Sequence, residues 1–331
     1  MKKILNNVDN IVDEMLIGMI DAHGNLLDRV EGRNIIIRKE KKVGKVALIS
    51  GGGSGHEPAH AGYVGRGMLD AAVCGQIFSS PGADEVYDAI KAVATDAGVL
   101  LIIKNYSGDV MNFEMAAELA TADGIKVDKI VVDDDVAVED STYTVGRRGI
   151  AGTVFVHKIV GAAAEKGYSL EKLKTLGEKV IHNVKTMGMS LEPCFVPTTG
   201  KKSFDIAPDE VEIGLGIHGE PGTHREKIKT AEVHVKQLLD EIFKNSEIKL
   251  EDDVAVMVNG LGATTLIELY IANKTVKEVL DKKEIKIYKT LVGNFMTSID
   301  MEGFSISLLK LDNEMKELLD AQSDTVGMKN L

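Results

Sequence analysis

KVALISGGG, residues 45–53, is the stretch that decides the fold of this chain. A mainly apolar run leads directly into three glycines, and this pattern predicts a buried β-strand that ends in a tight turn. Similar strand patterns occupy residues 99–103 and 129–135, and segments of helical length separate them. Short apolar strands that alternate with helices form largely parallel sheets covered by helices on both faces. The first half of the chain therefore predicts an α/β unit.

The second half continues this alternation. A helical pattern spans residues 170–187, and strand patterns such as residues 211–217 again alternate with helical ones. A chain of 331 residues is long enough for two domains of roughly 150 residues each. We therefore predict the α/β class, with two α/β domains at residues 1–184 and 185–331, each a mixed or mostly parallel sheet flanked by helices.

The composition excludes several classes of function. The formal net charge of −12 disfavours general binding of nucleic acid or of an anionic membrane, because both require a positive protein surface. The apolar runs are far shorter than the about 20 residues of a membrane-spanning helix, and polar residues interrupt the first residues before a signal-peptide core can form. Cys74 and Cys194 lack the spacing of a zinc site or of a disulfide framework. We therefore expect a cytoplasmic protein with neither a nucleic acid nor a membrane partner.

Three polar, glycine-rich segments follow predicted strands or apolar turns, at residues 51–61, 74–81 and 104–109. Because functional groups gather in the loops that leave the carboxyl ends of parallel strands, we expect these segments to line one site. The glycines of the first segment could form only a tight connection, or they could offer bare backbone N–H groups to a ligand. His56 and His60 favour a ligand site, because imidazole can act as acid, base or hydrogen-bond donor.

Two acidic features each allow two interpretations. Lys104 and Asp109 could orient a hydroxyl group and take its proton, or Asp109 could cap a helix that begins at Asn112. The acidic triplet at residues 133–135 could bind a metal ion. A solvated strand end or a structural hydrogen-bond network is favoured, because no second cluster has the spacing of metal ligands. We predict no metal site.

The stretch GLGIHGEPG, residues 214–222, surrounds His218 with glycines at the end of a predicted strand. Little side-chain cover is left around the imidazole, so a small molecule can approach it. The stretch contains neither serine nor cysteine, and His218 could therefore itself be the nucleophile that adds to a carbonyl group. We interpret His157, His182 and His234, which lie in helical patterns, as surface or structural residues.

Several long motifs together resemble the dihydroxyacetone kinase family, and in particular the dihydroxyacetone-binding subunits of its phosphoenolpyruvate-dependent members. The motifs are GGGSGHEP at 51–58, FSSP at 78–81, KNYSGD at 104–109, GRRG at 146–149, GIHGEPG at 216–222, GN at 293–294 and TS at 297–298. The resemblance implies that His218 captures the carbonyl of dihydroxyacetone as a covalent hemiaminal. It further implies that His56 acts as acid and base, and that Asp109 accepts the proton of the phosphorylated hydroxyl. The expected substrate-binding residues are Gly53, Ser54, Gly55, Phe78, Ser80 and Lys104.

The resemblance also implies partners and cofactors. It predicts a homodimer that carries no cofactor of its own, whereas ADP or ATP and magnesium belong to a DhaL-type nucleotide-binding subunit. A DhaM-type phosphocarrier would rephosphorylate that nucleotide, and the product would be dihydroxyacetone phosphate. A second interpretation is a DhaQ-like sensor, which captures dihydroxyacetone but co-activates a transcription factor without phosphotransfer. A free-standing ATP-dependent kinase is disfavoured, because the sequence has no phosphate loop of the Gly-Lys-Ser/Thr type.

Overall fold

The computed structural model describes residues 2–41, 43–139, 142 and 144–330. The helices of the first half are α1 (Ile11–His23), α2 (Ala83–Val93), α3 (Ser107–Ala122), α4 (Thr153–Glu165) and α5 (Leu170–Asn183). Its strands are β1 (Leu27–Arg29), β2 (Ile35–Arg38), β3 (Ala47–Ser54), β4 (Gly65–Arg66), β5 (Ala71–Ile77), β6 (Val99–Lys104) and β7 (Val127–Val132). Short 3-10 turns occupy Val8–Asn10 and Ala61–Tyr63.

The second half contributes the helices α6 (Ala231–Lys244), α7 (Leu266–Lys282) and α8 (Asn313–Asp320). Its longer strands are β8 (Val184–Glu192), β11 (Glu210–Ile213), β12 (His224–Lys227), β13 (Asp253–Gly260), β14 (Lys286–Gly293) and β15 (Glu302–Leu311). Its short strands are β9 (Phe195–Val196), β10 (Lys201–Lys202), β16 (Ser323–Thr325) and β17 (Lys329–Asn330).

Two mixed sheets form the framework. The first has the strand order β1-β2-β5-β3-β6-β7, in which β5, β3, β6 and β7 run parallel. The second has the order β12-β11-β8-β15-β13-β14, in which antiparallel pairings predominate and β13 pairs with β14 in parallel. The predicted class, two α/β units with mixed sheets flanked by helices, is confirmed.

Helices cover both sheets, and one helical layer is shared between them. Residues of α2 and α3 such as Ile90 and Phe113 pack on one face of the first sheet, and α6 and α7 pack on the outer face of the second. Side chains of α4 and α5 form one cluster with Ile102 of β6 and Met257 of β13, so these helices lie between the sheets. Nearly every residue of α4 is consequently buried.

The strands β4, β16 and β17 form a small separate sheet, in which β16 near the end of the chain pairs with β4 of the first half. The first sheet uses residues 27–132 and the second uses residues 184–311. The placement of a domain boundary between residues 184 and 185 stays a prediction.

Three predicted boundaries differ from the structure. The helix expected over residues 170–187 ends at Asn183, because Val184 starts a strand that pairs along its length with β15; this tertiary pairing outweighs the local helical pattern. Helix α3 begins at Ser107 rather than at Asn112. Strand β11 ends at Ile213, since Gly214 has a φ of +76° and turns the chain. Within the described part of the chain, no helix is both long and apolar enough to cross a membrane.

Candidate active site

A cavity of about 640 Å³ opens at the carboxyl ends of β3, β5 and β6. Because these strands are parallel neighbours, the three glycine-rich segments that follow or end them meet there. The cavity is lined by Gly53, Ile77, Phe78, Ser79, Ser80, Tyr106, Gly108, Asp109, Val196, Thr198, Thr199, Lys201, Lys202, Ser203 and His218. The second half of the chain therefore supplies His218 and one wall, and the first half supplies the rest.

His218 lies in the turn between β11 and β12, and its side chain is 15 % exposed. Its Nδ1 is 2.8 Å from a carboxylate oxygen of Glu220, and its backbone N–H donates to the other oxygen at 2.9 Å. Its Nε2 is 3.1 Å from Nε2 of His56. The rings of Tyr106 and Phe78 are nearly perpendicular to it, at centroid distances of 4.7 and 5.1 Å. The imidazole is thus clamped on one side by a carboxylate and framed by aromatic rings.

Glu220 is buried, with 1 % of its side chain exposed. Burial opposes its ionisation, but the nearby His218 and the Arg148 guanidinium outweigh this and lower the pKa of the carboxyl group to about 2. Arg148 is itself held by Asp135 at 2.7 Å and donates to the Gly214 carbonyl at 2.8 Å. A Cβ atom on Gly216 would lie 2.1 Å from Glu220 Oε2, so this position must be glycine for the carboxylate to reach His218.

His56 is fully buried and stacks on Phe78 with a centroid distance of 5.2 Å. Burial, together with the positive charges of His218 and Lys104, lowers its pKa well below the usual value, so a second proton on this ring is readily given up. Its Nδ1 is 2.7 Å from the carbonyl oxygen of Thr297. Because a carbonyl oxygen only accepts, this Nδ1 carries a proton.

The hydrogen bonds assign the protons of the two imidazoles. The outer nitrogens of His56 and His218 both donate, to the Thr297 carbonyl and to ionised Glu220. Two neutral rings would then face each other with bare lone pairs on nitrogens 3.1 Å apart. One further proton must therefore lie between the two Nε2 atoms for this contact to be a hydrogen bond. The two imidazoles can transfer this proton toward a ligand in the cavity, and the carboxylate of Glu220 balances the positive charge of the pair.

Lys104 and Asp109 lie side by side, and Asp109 lines the cavity whereas Lys104 lies buried behind its wall. Lys104 is the last residue of β6 and Asp109 lies in the first turn of α3, with Lys104 Nζ 3.6 Å from Asp109 Oδ2. Both side chains are almost fully buried, at 0 % and 3 % exposure. Among the described residues, neither Lys104 Nζ nor Asp109 Oδ1 has a hydrogen-bond partner. The N-cap of α3 is Tyr106, so the alternative of Asp109 as a helix cap is wrong.

The predicted substrate-binding residues of the glycine-rich segments differ in position. Gly53 and Phe78 line the cavity, and Phe78 has a left-handed φ of +55°. A Cβ on Gly53 would lie 2.6 Å from the backbone nitrogen of Ser79, so this wall requires glycine. Ser80 also lines the cavity, next to Gly108. Ser54 instead donates its hydroxyl to the Gly75 carbonyl at 2.7 Å, and Gly55 packs against Phe78; both support the wall from behind.

Other predicted features have structural roles. Asp134 accepts from the backbone N–H groups of Ile150 and Gly152, which is the hydrogen-bond network favoured over a metal site. Among the described residues, no group of three or more His, Cys, Asp or Glu is arranged to hold a metal ion. His157 and His234 are buried, so of the two interpretations offered for them the surface one is wrong, whereas His182 is exposed.

Sequence reasoning assigned no role to Glu220, Thr297, Tyr106 or Arg148, although all four lie in the quoted motifs. Glu220 carried a usable signal, because a carboxylate two residues from a nucleophilic histidine can orient its ring. The contact of His56 with Thr297 joins residues 241 positions apart, and local spacing cannot indicate such a contact.

Comparisons with known proteins identify relatives of this chain. A model of the Dak1 domain matches residues 17–327. The chain is 57 % identical over 328 residues to the dihydroxyacetone-binding subunit DhaK of PTS-dependent dihydroxyacetone kinase 1 from Listeria innocua, covering 99 % of this chain and 100 % of that protein. It is 51 % identical to the corresponding subunit from Lactococcus lactis, covering 95 % and 94 %. The solved structure of the dihydroxyacetone kinase operon co-activator DhaQ matches with a TM-score of 0.89 and 38 % identity, covering 94 % and 96 %.

Proposed function

The chain belongs to the Dak1 domain family, which confirms the resemblance to the dihydroxyacetone kinases, and on this premise we propose that it is the dihydroxyacetone-binding subunit of a phosphoenolpyruvate-dependent kinase. One observation carries the proposal. His218 holds its Nδ1 against the ionised carboxylate of Glu220 and turns its Nε2 toward the cavity and a second imidazole. This is the arrangement that a nucleophilic histidine needs.

Capture proceeds from the arrangement in which His56 holds the proton shared by the two Nε2 atoms, because this leaves a free lone pair on His218. This Nε2 attacks the carbonyl carbon of dihydroxyacetone, and a new N–C bond forms as the C=O π electrons move to oxygen. His56 then gives its proton to that oxygen and becomes neutral, in agreement with its lowered pKa. The product is a hemiaminal on His218, which now carries a positive charge that Glu220 balances. Glycerol, which has no carbonyl group, cannot be held in this way.

Phosphoryl transfer requires that a terminal hydroxyl of the captured substrate lose its proton while its oxygen attacks phosphorus. The carboxylate of Asp109 lines the cavity with an unpartnered oxygen among the described residues, which supports it as the group that takes this proton. The adjacent ammonium of Lys104 supports a role in holding the substrate oxygen. Gly53, Phe78 and Ser80 would complete the pocket around a three-carbon ligand.

We expect the phosphoryl donor on a separate protein. A DhaL-type subunit would bring ADP or ATP with magnesium to the cavity mouth, and a DhaM-type phosphocarrier would recharge it. We further propose that the chain acts in the cytoplasm, which is supported by two buried cysteines that form no disulfide. A homodimer is supported by the exposed apolar residues Leu266, Ile267, Tyr270 and Ile271 on one helix, α7.

A second candidate function is that of a sensor. The match to the co-activator DhaQ favours it, because capture chemistry serves a sensor as well as a kinase subunit. A sensor would bind dihydroxyacetone without transferring phosphate to it.

Reconstitution distinguishes the two functions. The purified chain is combined with the nucleotide-binding and phosphocarrier subunits, phosphoenolpyruvate and dihydroxyacetone, and dihydroxyacetone phosphate is measured. The partner subunits are shown to be active with the Listeria innocua relative. Product that forms only when all components are present supports the kinase subunit. Tight capture without product, next to an active Listeria control, contradicts it and supports the sensor.

A further inference from the structure

A second pair of histidines lies buried behind the cavity, outside the capture chemistry. Nδ1 of His60 is 2.9 Å from Nε2 of His157, which lies on α4, and 3.3 Å from the hydroxyl of Ser50 on β3. All three side chains are buried, with relative exposures of 4 %, 0 % and 0 %. We call these residues the inner cluster.

The hydrogen bonds of the inner cluster assign its protons. The Ser50 hydroxyl donates to the carbonyl of Ile102 at 2.7 Å and can therefore only accept from His60. If His157 Nε2 donated to His60 Nδ1 instead, the lone pairs of His60 Nδ1 and Ser50 Oγ would face each other at 3.3 Å. We therefore assign the proton to His60 Nδ1, which shares it between Ser50 and the lone pair of His157 Nε2. The other nitrogen of His60, Nε2, is left with a bare lone pair. It is buried and has no hydrogen-bond partner within the described ranges.

Lys104 lies on the same face of the sheet as the inner cluster. Ser50 pairs with Ile102 in the parallel register of β3 and β6. Gly52 and Lys104 follow two residues later on the same face, since side chains alternate along a strand. Lys104 Nζ lies 3.1 Å from where a Cβ on Gly52 would sit. The ammonium group is therefore about one strand repeat, roughly 7 Å, along the sheet from Ser50, which anchors His60.

Charge and burial keep the inner cluster neutral. Burial lowers the pKa of His60 and His157, and the positive charge of Lys104 lowers both further. The ammonium has three N–H donors. The carboxylate of Asp109 stands 3.6 Å away, beyond hydrogen-bond distance. The inner cluster therefore presents a neutral imidazole nitrogen, and no carboxylate, on the face of the sheet that also carries Lys104.

We propose that Ser50, His60 and His157 form a positioning device for Lys104. The lone pair of His60 Nε2 holds the ammonium from the buried side through one water, and Ser50 and His157 fix the tautomer that exposes this lone pair. The remaining N–H groups of Lys104 stay directed at the substrate oxygen and Asp109. A neutral acceptor suits this task, because a carboxylate would form an ion pair with the ammonium and compete with the substrate oxygen and with Asp109. The inference rests on the proposed kinase function.

The test compares His60→Leu, which removes the acceptor, with His60→Gln, whose amide oxygen can replace it. We expect kcat of the reconstituted kinase to fall about tenfold in His60→Leu, as for the loss of one charge-assisted hydrogen bond, and to recover to within about threefold in His60→Gln. Capture of dihydroxyacetone on His218 should persist in both. His234→Leu removes an equally buried histidine from α6 and controls for a general loss of stability.

A readout that does not require turnover accompanies the kinetics. The ¹⁵Nζ resonance of Lys104, assigned through Lys104→Met, should show slowly exchanging protons in the wild type and in His60→Gln, and lose them in His60→Leu. Equal kcat in the two His60 variants, or an unchanged Lys104 resonance in His60→Leu, would overturn the positioning role. An ordered Lys104 in a wild type that captures but never transfers phosphate would support the positioning role and overturn the kinase function.

Discussion

Replacing Glu220 by glutamine tests how the structure makes His218 a nucleophile. The variant keeps an oxygen that can accept from His218 Nδ1 but removes the charge that balances the imidazolium formed on capture. The pKa of Glu220 falls from 4.5 to about 2, and this corresponds to about 3 kcal/mol of favourable interaction with the positive groups around it. His218 and Arg148 share this energy. We therefore expect the equilibrium constant for capture to fall by at least about tenfold and at most about 100-fold.

The assay is a ¹³C NMR titration with [2-¹³C]dihydroxyacetone, in which capture converts a carbonyl carbon into a tetrahedral one. Glu278→Gln, which removes a half-exposed carboxylate paired with Lys274 on α7, is the matched control and should titrate as the wild type. The lowered pKa of Glu220 also determines how the stability of the fold depends on pH. The stability that Glu220 contributes is fully present above pH 4.5 and is lost as the pH falls through about 2. Capture by Glu220→Gln at wild-type strength would refute the assigned role of the carboxylate.

Three further outcomes follow from the same geometry. His218→Ala should lose the tetrahedral ¹³C signal entirely, and retention of bound dihydroxyacetone would remove His218 from the capture step. Asp109→Ala should still capture dihydroxyacetone but transfer phosphate at least about 100-fold more slowly, as for loss of a general base; near-normal turnover in the reconstituted kinase would exclude that role. The neutral form of His157 is favoured in the fold, where its pKa is about 3 rather than 6.5, so wild-type stability declines as the pH falls from 6.5 toward 3. In His157→Gln, the free energy of unfolding measured with urea should decline less steeply, by up to about 1.4 kcal/mol per pH unit. The same dependence of this free energy on pH in both proteins would contradict the conclusion that the fold keeps His157 neutral.

Much of the framework could be predicted from local patterns. The apolar run before Gly51 forms β3, and its parallel neighbours β5 and β6 bring their polar ends together because the carboxyl ends of parallel strands share one edge. The end of α5 could not be predicted in this way, because strand pairing determines it. Val184 pairs with β15 as a strand although the local pattern is helical. Boundaries that depend on distant partners are not encoded locally.

The sequence likewise predicts the reactive residues of the site but not the contacts that hold them. His56, Asp109 and His218 stand out in sequence because reactive groups sit among glycines, and the structure brings all three to the cavity region. The contacts that assign their protons come from elsewhere. Thr297 meets His56, and Arg148 reaches Glu220 from a separate loop. His157 appears in sequence as one polar residue of a helix, and only the packing of α4 between the sheets buries it beside His60.

The most direct test of the central claim is to detect the bond between His218 and the substrate. The chain is labelled with ¹⁵N in its histidine rings and mixed with [2-¹³C]dihydroxyacetone. The proposed capture predicts a one-bond coupling between the tetrahedral carbon and Nε2 of His218, which is absent in His218→Ala and unaffected in His182→Ala. A bound substrate that keeps its carbonyl carbon, or a coupling to any other histidine, would contradict the account.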